Sequence, residues 1–343
     1  MENMSKIILS DTFLGAIFST ISIILIGYYI RKKNIVGENA GKVLSNIMLS
    51  VTLPALAFQA FMTNITKETF TTGLNVFIFG FIAYVILIFL GELIFVKIKG
   101  DKKTTMSVLT TFGSTTFFGI PIINGFLGAA GTLYANIFNI AYRVFLYSYG
   151  LIRMSGTKFE KKNLKSIFGN PIIIATFVGL IIWMFQKQMP QVSFVENGKE
   201  VTYAFLRIDK TVPWLFAAIK YLSGLSSPMA WLAIGITLGN IKLGAAVKDK
   251  LVWFYSFAKL MLVPAIFVAI ILVIKPILPM SYEAVMAIII MLATPPATVA
   301  VAYAIKYEKE PLLASNASLL STVLAVAAII FWIIVGTALK GFF

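Results

Sequence analysis

The sequence predicts an all-α polytopic membrane protein, with ten transmembrane helices arranged as two inverted five-helix repeats and with helices 4 and 9 broken and crossing. Three observations carry that expectation. First, the 343 residues are 59% hydrophobic and only 13% charged, against roughly a quarter charged in ordinary soluble domains, so a single soluble core is excluded. Second, the apolar residues gather in windows close to the ~20 residues an α-helix needs to cross ~30 Å of hydrocarbon, and not in the ~10-residue alternating segments of a β-barrel. Third, prolines inside those windows repeat. Pro54 and Pro121 are 67 residues apart, Pro228 and Pro295 are 67 apart, and one offset of 174 carries the first pair onto the second.

In order, the windows lie at about 12–30, 43–62, 74–96, 106–126, 132–152, 171–187, 214–239, 251–274, 284–304 and 312–338. The stretch from Met1 to Asp11 is too short for a signal peptide's charged and apolar regions together and carries Glu2 and Asp11, so the first window reads as a retained span. The loops after odd-numbered spans, at 31–42, 97–105, 153–170, 240–250 and 305–311, hold 18 Lys and Arg, and the opposite side with the tails holds 8. By the positive-inside rule the basic loops are cytoplasmic, which places a multi-pass protein in the cell membrane with both termini outside. The net charge of +15 is therefore topological, and no nucleic-acid partner is expected. The long loop from Gln186 to Thr211, with Pro190 and Asn197-Gly198, reads as an external excursion able to form a hairpin.

Spans 5 and 10 echo one another at an offset of 179, where Asn136, Asn139 and Arg143 map onto Ser315, Ser318 and Thr322. The repeats divide as 1–168 and 169–343. Because five is odd, the second repeat must enter the membrane upside down, and inverted repeats are an architecture of secondary transporters. Zero histidines and zero cysteines remove His-assisted nucleophiles, thiolate chemistry and most zinc or haem ligation. No span contains an Asp, which removes the intramembrane aspartyl pair. An enzyme is not expected, and neither is a cofactor or a metal.

Chemistry concentrates at three places. Span 4 reads Gly113-Ser114-Thr115-Thr116-Phe117-Phe118-Gly119-Ile120-Pro121, followed by Asn124, and span 9 reads Thr294-Pro295-Pro296-Ala297-Thr298. Proline lacks an N–H and clashes with the carbonyl four residues back, so the carbonyls of Phe117, Met291 and Leu292 are expected to lose their partners and both helices to break in mid-membrane. Such backbone must be buried in protein or line a wet cavity. The second half-helices would then present free N–H groups and a positive dipole end, an anion site built from Ser114, Thr115, Ile120, Pro121, Asn124, Thr294, Pro295, Pro296, Ala297 and Thr298.

In span 5, Asn136, Asn139, Arg143 and Tyr147 fall within about 80° of one another at 100° per residue, one polar stripe that must face inward. Arg143 lies ~15 Å deep, where a guanidinium costs roughly 2.5–3.5 kcal/mol. Two roles are open for it: capping carbonyls freed by Pro121, or drawing a substrate carboxylate. Glu92, the acid well inside a span, and Lys259 are candidates for ion coupling. They sit toward the same side and either pair with each other or leave Lys259 to snorkel, as Lys220 does. Ser315, Asn316, Ser318 and Thr322 read as small-residue helix packing.

Several of these segments together resemble the auxin efflux carrier family, which includes plant PIN carriers and bacterial permeases for malate and related carboxylates. The resemblance rests on Leu53-Pro54 with Phe58, on Gly119-Ile120-Pro121, and on Ala304, Lys306-Tyr307 and Pro311 after span 9, and it covers essentially the whole chain. It implies ten helices in two inverted repeats, a scaffold of spans 1, 2, 6 and 7, a transport part of spans 3–5 and 8–10, a pocket where helices 4 and 9 cross, and a homodimer. This sequence has Ser114 where many members carry Asn seven residues before the crossing proline, so an indole acid is not implied as substrate. The expected function is a secondary transporter of an organic anion, with H⁺ or Na⁺ as the partner ion where one is used; an anion channel or a non-transporting sensor of the same fold are the alternatives.

Overall fold

Apolar helices interrupted by one external hairpin make up the computed structural model, which describes residues 11–156, 169–196, 199–240, 244 and 246–342. Helix α1 (Asp11–Lys32) leads by a turn into α2 (Ala40–Ala60). Helix α3 (Lys67–Ile94) opens on a capping box: Thr66 Oγ1 accepts from the Thr69 N–H while Thr69 Oγ1 accepts from the Thr66 N–H, which satisfies two donors that a helix start otherwise strands. Helix α4 (Gly100–Thr111) stops short. A long helical run, α5 (Thr115–Ser155), follows and turns sharply at Gly128, whose φ of 62° and ψ of −148° exclude residues with a Cβ.

Helix α6 (Pro171–Phe185) starts under Asn170, whose Oδ1 accepts from the Ile172 and Ile173 N–H groups. Strands β1 (Gln191–Glu196) and β2 (Lys199–Ala204) then pair antiparallel; the Asn197-Gly198 turn between them lies outside the described residues. Helices α7 (Pro213–Asn240), α8 (Lys250–Ile274), α9 (Tyr282–Leu292), α10 (Thr298–Lys306) and α11 (Pro311–Ala338) complete the chain. The boundary expected at 168/169 lies at the edge of the described residues, and most of the loop 153–170 lies outside them.

Helices α2, α3, α5, α7, α8 and α11 are long and apolar enough to cross a membrane, and α6 and α9 are shorter apolar helices. Their outward faces carry large apolar side chains such as Phe89, Trp214, Tyr221 and Val273, each more than two-thirds exposed, a surface that water would penalise and lipid accepts. This is a mostly helical, multi-pass membrane protein.

Pro121 does not break its helix. Met48–Thr52, Thr115–Gly119 and Ala258–Leu262 are π-helical turns, and each runs directly into α-helix whose second residue is a proline: Pro54, Pro121 and Pro264. The additional residue in a π turn shifts the carbonyl that the ring would strike, so the proline is absorbed as a bulge. Thus the Ile120 N–H reaches back five residues to the Thr115 carbonyl and the ladder continues. The interruption lies upstream, at 112–114. In the second half the prolines do sit in the gap, at 293–297 between α9 and α10. There the Met291 carbonyl is not orphaned, because Thr294 donates to it from its N–H at 3.4 Å and from Oγ1 at 2.7 Å.

Small residues let the helices approach. Helix α1 lies along α7 with Gly27 and Gly235 back to back: a Cβ on Gly27 would stand 3.1 Å from the Gly235 Cα. Helix α2 packs on α6 and α7, where Gly179 leaves room for Phe61, 2.8 Å from the position of an added Cβ. Helix α5 packs on α3 and α9. Without a hydrophobic gain for helix association inside lipid, such close backbone contact is what holds the bundle together.

Candidate functional site

Two interrupted helices are joined at their gaps. The Ser114 N–H donates to the Pro295 carbonyl at 2.7 Å and the Ala297 N–H to the Phe112 carbonyl at 2.8 Å, so that Gly113 and Pro296 form an isolated antiparallel bridge. Each gap thereby supplies the backbone partners the other has lost, which is how irregular chain survives at membrane depth. Gly113 is required there. A Cβ at Gly113 would stand 3.2 Å from Lys259 Nζ and 3.3 Å from the Met291 carbonyl oxygen, and would collide with Thr294 Oγ1.

Beyond the bridge the second half-helices begin. Neither has a side-chain cap. The first N–H groups of each, Thr115 to Phe117 and Thr298 to Ala300, precede the turn-closing bonds donated by Phe118 to Ser114 and by Val301 to Ala297, so they are free to meet a ligand. Thr116 and Phe117 are partly exposed and Thr298 is exposed. Each half-helix thus begins beside the bridge with its positive end uncapped and partly accessible.

The opposite end of the first gap, the carbonyl terminus of α4, meets Lys259. This lysine sits in the π turn of α8, is 1% exposed, and donates to the Thr110 carbonyl at 2.9 Å. It neither pairs with Glu92 nor snorkels, because its ammonium is buried against the Thr110 carbonyl in the last turn of α4. Glu92 instead holds Lys103 at 3.0 Å and Arg153 at 2.9 Å near the end of α3, partly exposed and away from the bridge.

The α5 stripe is buried and under-partnered. Asn136 donates to the Thr132 carbonyl at 2.9 Å and Asn139 to Thr116 Oγ1 at 3.4 Å, while the Oδ1 of each has no partner. Arg143 is 7% exposed; Nη1 donates to Thr176 Oγ1 of α6 at 3.3 Å, and Nη2 has no partner. Arg143 therefore does not cap carbonyls near Pro121, where the π turn leaves it no such task. The Pro121 carbonyl accepts from Ser227 Oγ of α7 at 2.8 Å, and Asn124 joins that contact, donating to Ser227 at 3.2 Å and accepting from Thr132 at 3.2 Å.

The expected residues thus fall into groups. Ser114, Thr115, Thr294, Pro295, Pro296, Ala297 and Thr298 meet at the bridge, and buried Ile120 and Pro121 follow Gly119, which packs on Met291. Asn139 reaches the same half-helix through Thr116, Asn124 belongs to the α5–α7 contact, and Arg143 is tied to α6. Thr110, Phe112, Thr116, Thr176 and Ser227 were not singled out by sequence. Ser227 directly precedes Pro228, one of the repeated prolines, and that adjacency was the available signal. Beside the bridge, an apolar cleft lined by Ile24 of α1, Phe118 and Ile122 of α5, and Ile329 of α11 separates the α1 wall from the crossing and offers no charge.

A family model described as membrane transport protein matches residues 12–333. An uncharacterized transporter of Methanocaldococcus jannaschii is 24% identical over 228 residues, a match covering 63% of this chain and 66% of the relative, so the chain spans just under two thirds of that protein's length.

Proposed function

Because the chain belongs to the membrane transport protein family, the auxin efflux carrier family, we propose that it is a secondary transporter moving an organic anion, a carboxylate of the malate-like class, across the cytoplasmic membrane by alternating access. The observation that carries the anion is the pair of uncapped helix N-termini beside the Gly113–Pro296 bridge. Each contributes about half a positive charge, and a carboxylate is the small group that uses both. Arg143, with Nη2 unused, adds a full charge nearby on α5, and among the described residues no Asp or Glu is buried to neutralise it.

In this reading the chain is ten spans in two inverted repeats, 1–168 and 169–343, a proposal supported by the 174-residue proline offset and by the paired gaps. Helices α1, α2, α6 and α7 form the scaffold, and α3–α5 with α8–α11 form the moving part. Both termini lie outside, and the protein is a homodimer as its family implies.

The deciding measurement is uptake into proteoliposomes from a panel of mono- and dicarboxylates under imposed pH, Na⁺ and voltage gradients. Saturable uptake with counter-transport of unlabelled substrate is expected. Flux that never saturates would make it a channel, and binding without flux would make it a sensor.

A further inference from the structure

Two loops far apart in sequence bring lysines to one stretch of the protein's surface. Lys97 and Lys99 lie between α3 and α4, Lys102 in the first turn of α4, Lys248 in the turn before α8 and Lys250 at the start of α8; all five are exposed. The loops meet through an edge-to-face contact of Phe95 with Phe254, ring centroids 5.7 Å apart. Lys97 and Lys99 follow Phe95 closely, and Lys250 precedes Phe254 by one helical turn, ~6 Å along the axis. Among the described residues none of the five makes an ion pair, and the acids beside them are engaged elsewhere. Glu92 holds Lys103 and Arg153, Asp101 holds Lys309 at 2.7 Å, and Asp249 accepts from the Leu251 N–H at 2.8 Å. On the membrane side of the lysines the surface turns apolar: Leu93 and Val96 flank Phe95, Trp253 and Phe257 flank Phe254, and each is more than two-fifths exposed. Tryptophan is the residue that marks the boundary of hydrocarbon and head groups. Unpaired ammoniums bordering an apolar face fit an anion that carries its own hydrocarbon. The positive-inside rule accounts for basic loops, but not for two of them converging on one ring contact with their acids taken up elsewhere.

We propose that this patch holds an anionic phospholipid of the bilayer, its phosphate among Lys97, Lys99, Lys102, Lys248 and Lys250 and its acyl chains along α3 and α8. The proposal does not depend on what the protein carries.

The test is the thermal midpoint of the purified full-length protein in detergent with added phosphatidylglycerol or with phosphatidylcholine of the same acyl chains. Wild type is expected to melt at least ~5 °C higher in the anionic lipid, since a ligand of the folded state raises the midpoint; equal midpoints overturn the proposal. The quadruple variant Lys97→Gln, Lys99→Gln, Lys248→Gln, Lys250→Gln is expected to lose at least about two thirds of that difference. The control variant Lys32→Gln, Lys33→Gln, Lys42→Gln, Lys306→Gln has the same net charge and is expected to keep it. A difference retained in the patch variant overturns the proposal, and so does an equal loss in the control, which would make the effect one of net charge. Glycerol 3-phosphate in place of lipid is expected to shift nothing; a full shift would make the patch a small-anion site and overturn the lipid. If the quadruple variant yields no folded protein, Lys99→Gln with Lys248→Gln, one change in each loop, decides: a loss of at least about a third of the difference supports the patch, and no loss overturns it.

Discussion

Arg143 has five N–H donors, and the bond it makes to Thr176 Oγ1 leaves Nη2 without an acceptor in a buried setting. A buried donor of that kind costs on the order of 1–3 kcal/mol until something accepts from it. A substrate carboxylate would. Arg143→Gln is expected to leave the fold intact and to weaken carboxylate binding tenfold to a hundredfold, the ~1.5–3 kcal/mol of a charge-assisted hydrogen bond; calorimetry on the purified variant reads it, and unchanged affinity would remove Arg143 from the site. Thr176→Val isolates the other role, with an expected loss of about 1 kcal/mol of stability and less than a threefold change in affinity. The sequence made the burial of Arg143 legible, because a stripe with Asn136 and Asn139 has one inward face. It could not reveal Thr176 or the partner of Lys259. A backbone carbonyl leaves no trace in side-chain pattern, and Thr110 matters through its carbonyl.

Among the helices, glycine and proline divide the work of interruption in a way their positions alone do not disclose. Pro295 and Pro296 mark the second gap openly, since adjacent prolines leave no register in which a helix continues. Pro121 drew attention away from the first gap, which lies at Gly113. Whether a proline breaks a helix or is absorbed depends on whether the preceding turn can take an extra residue, and that is a property of packing. Gly113→Ala is expected to force Thr294 and Lys259 aside, costing more than about 2 kcal/mol of stability and abolishing transport. Gly15→Ala is the matched control, because an added Cβ there meets nothing within 4 Å. Thermal melts of both, with uptake, check the pair; a Gly113→Ala protein as stable as the control would show that the bridge tolerates slack.

For the whole molecule, the basic asymmetry of 18 against 8 makes orientation testable in a chain that contains no cysteine. Lys102→Cys, before the first gap, is expected to react with an impermeant thiol reagent only after the cells are opened, and Glu200→Cys on the exposed hairpin in intact cells; the reverse pattern would invert the topology. That the chain is a series of apolar membrane-length helices was legible because hydrocarbon thickness imposes a length on each. Which segments touch was not, because Gly27 and Gly235 are as far apart in sequence as they are close in space, and lipid-facing and protein-facing sides are equally apolar. The bridge itself sets the mechanics. It fastens residues 113 and 296 with two hydrogen bonds that shear would break together, stranding two donors and two acceptors where water cannot replace them. Any motion at the crossing must therefore either carry the two interrupted helices together or break both bonds. The next interruption along the first of them is the sharp turn at Gly128, which the bridge does not fasten.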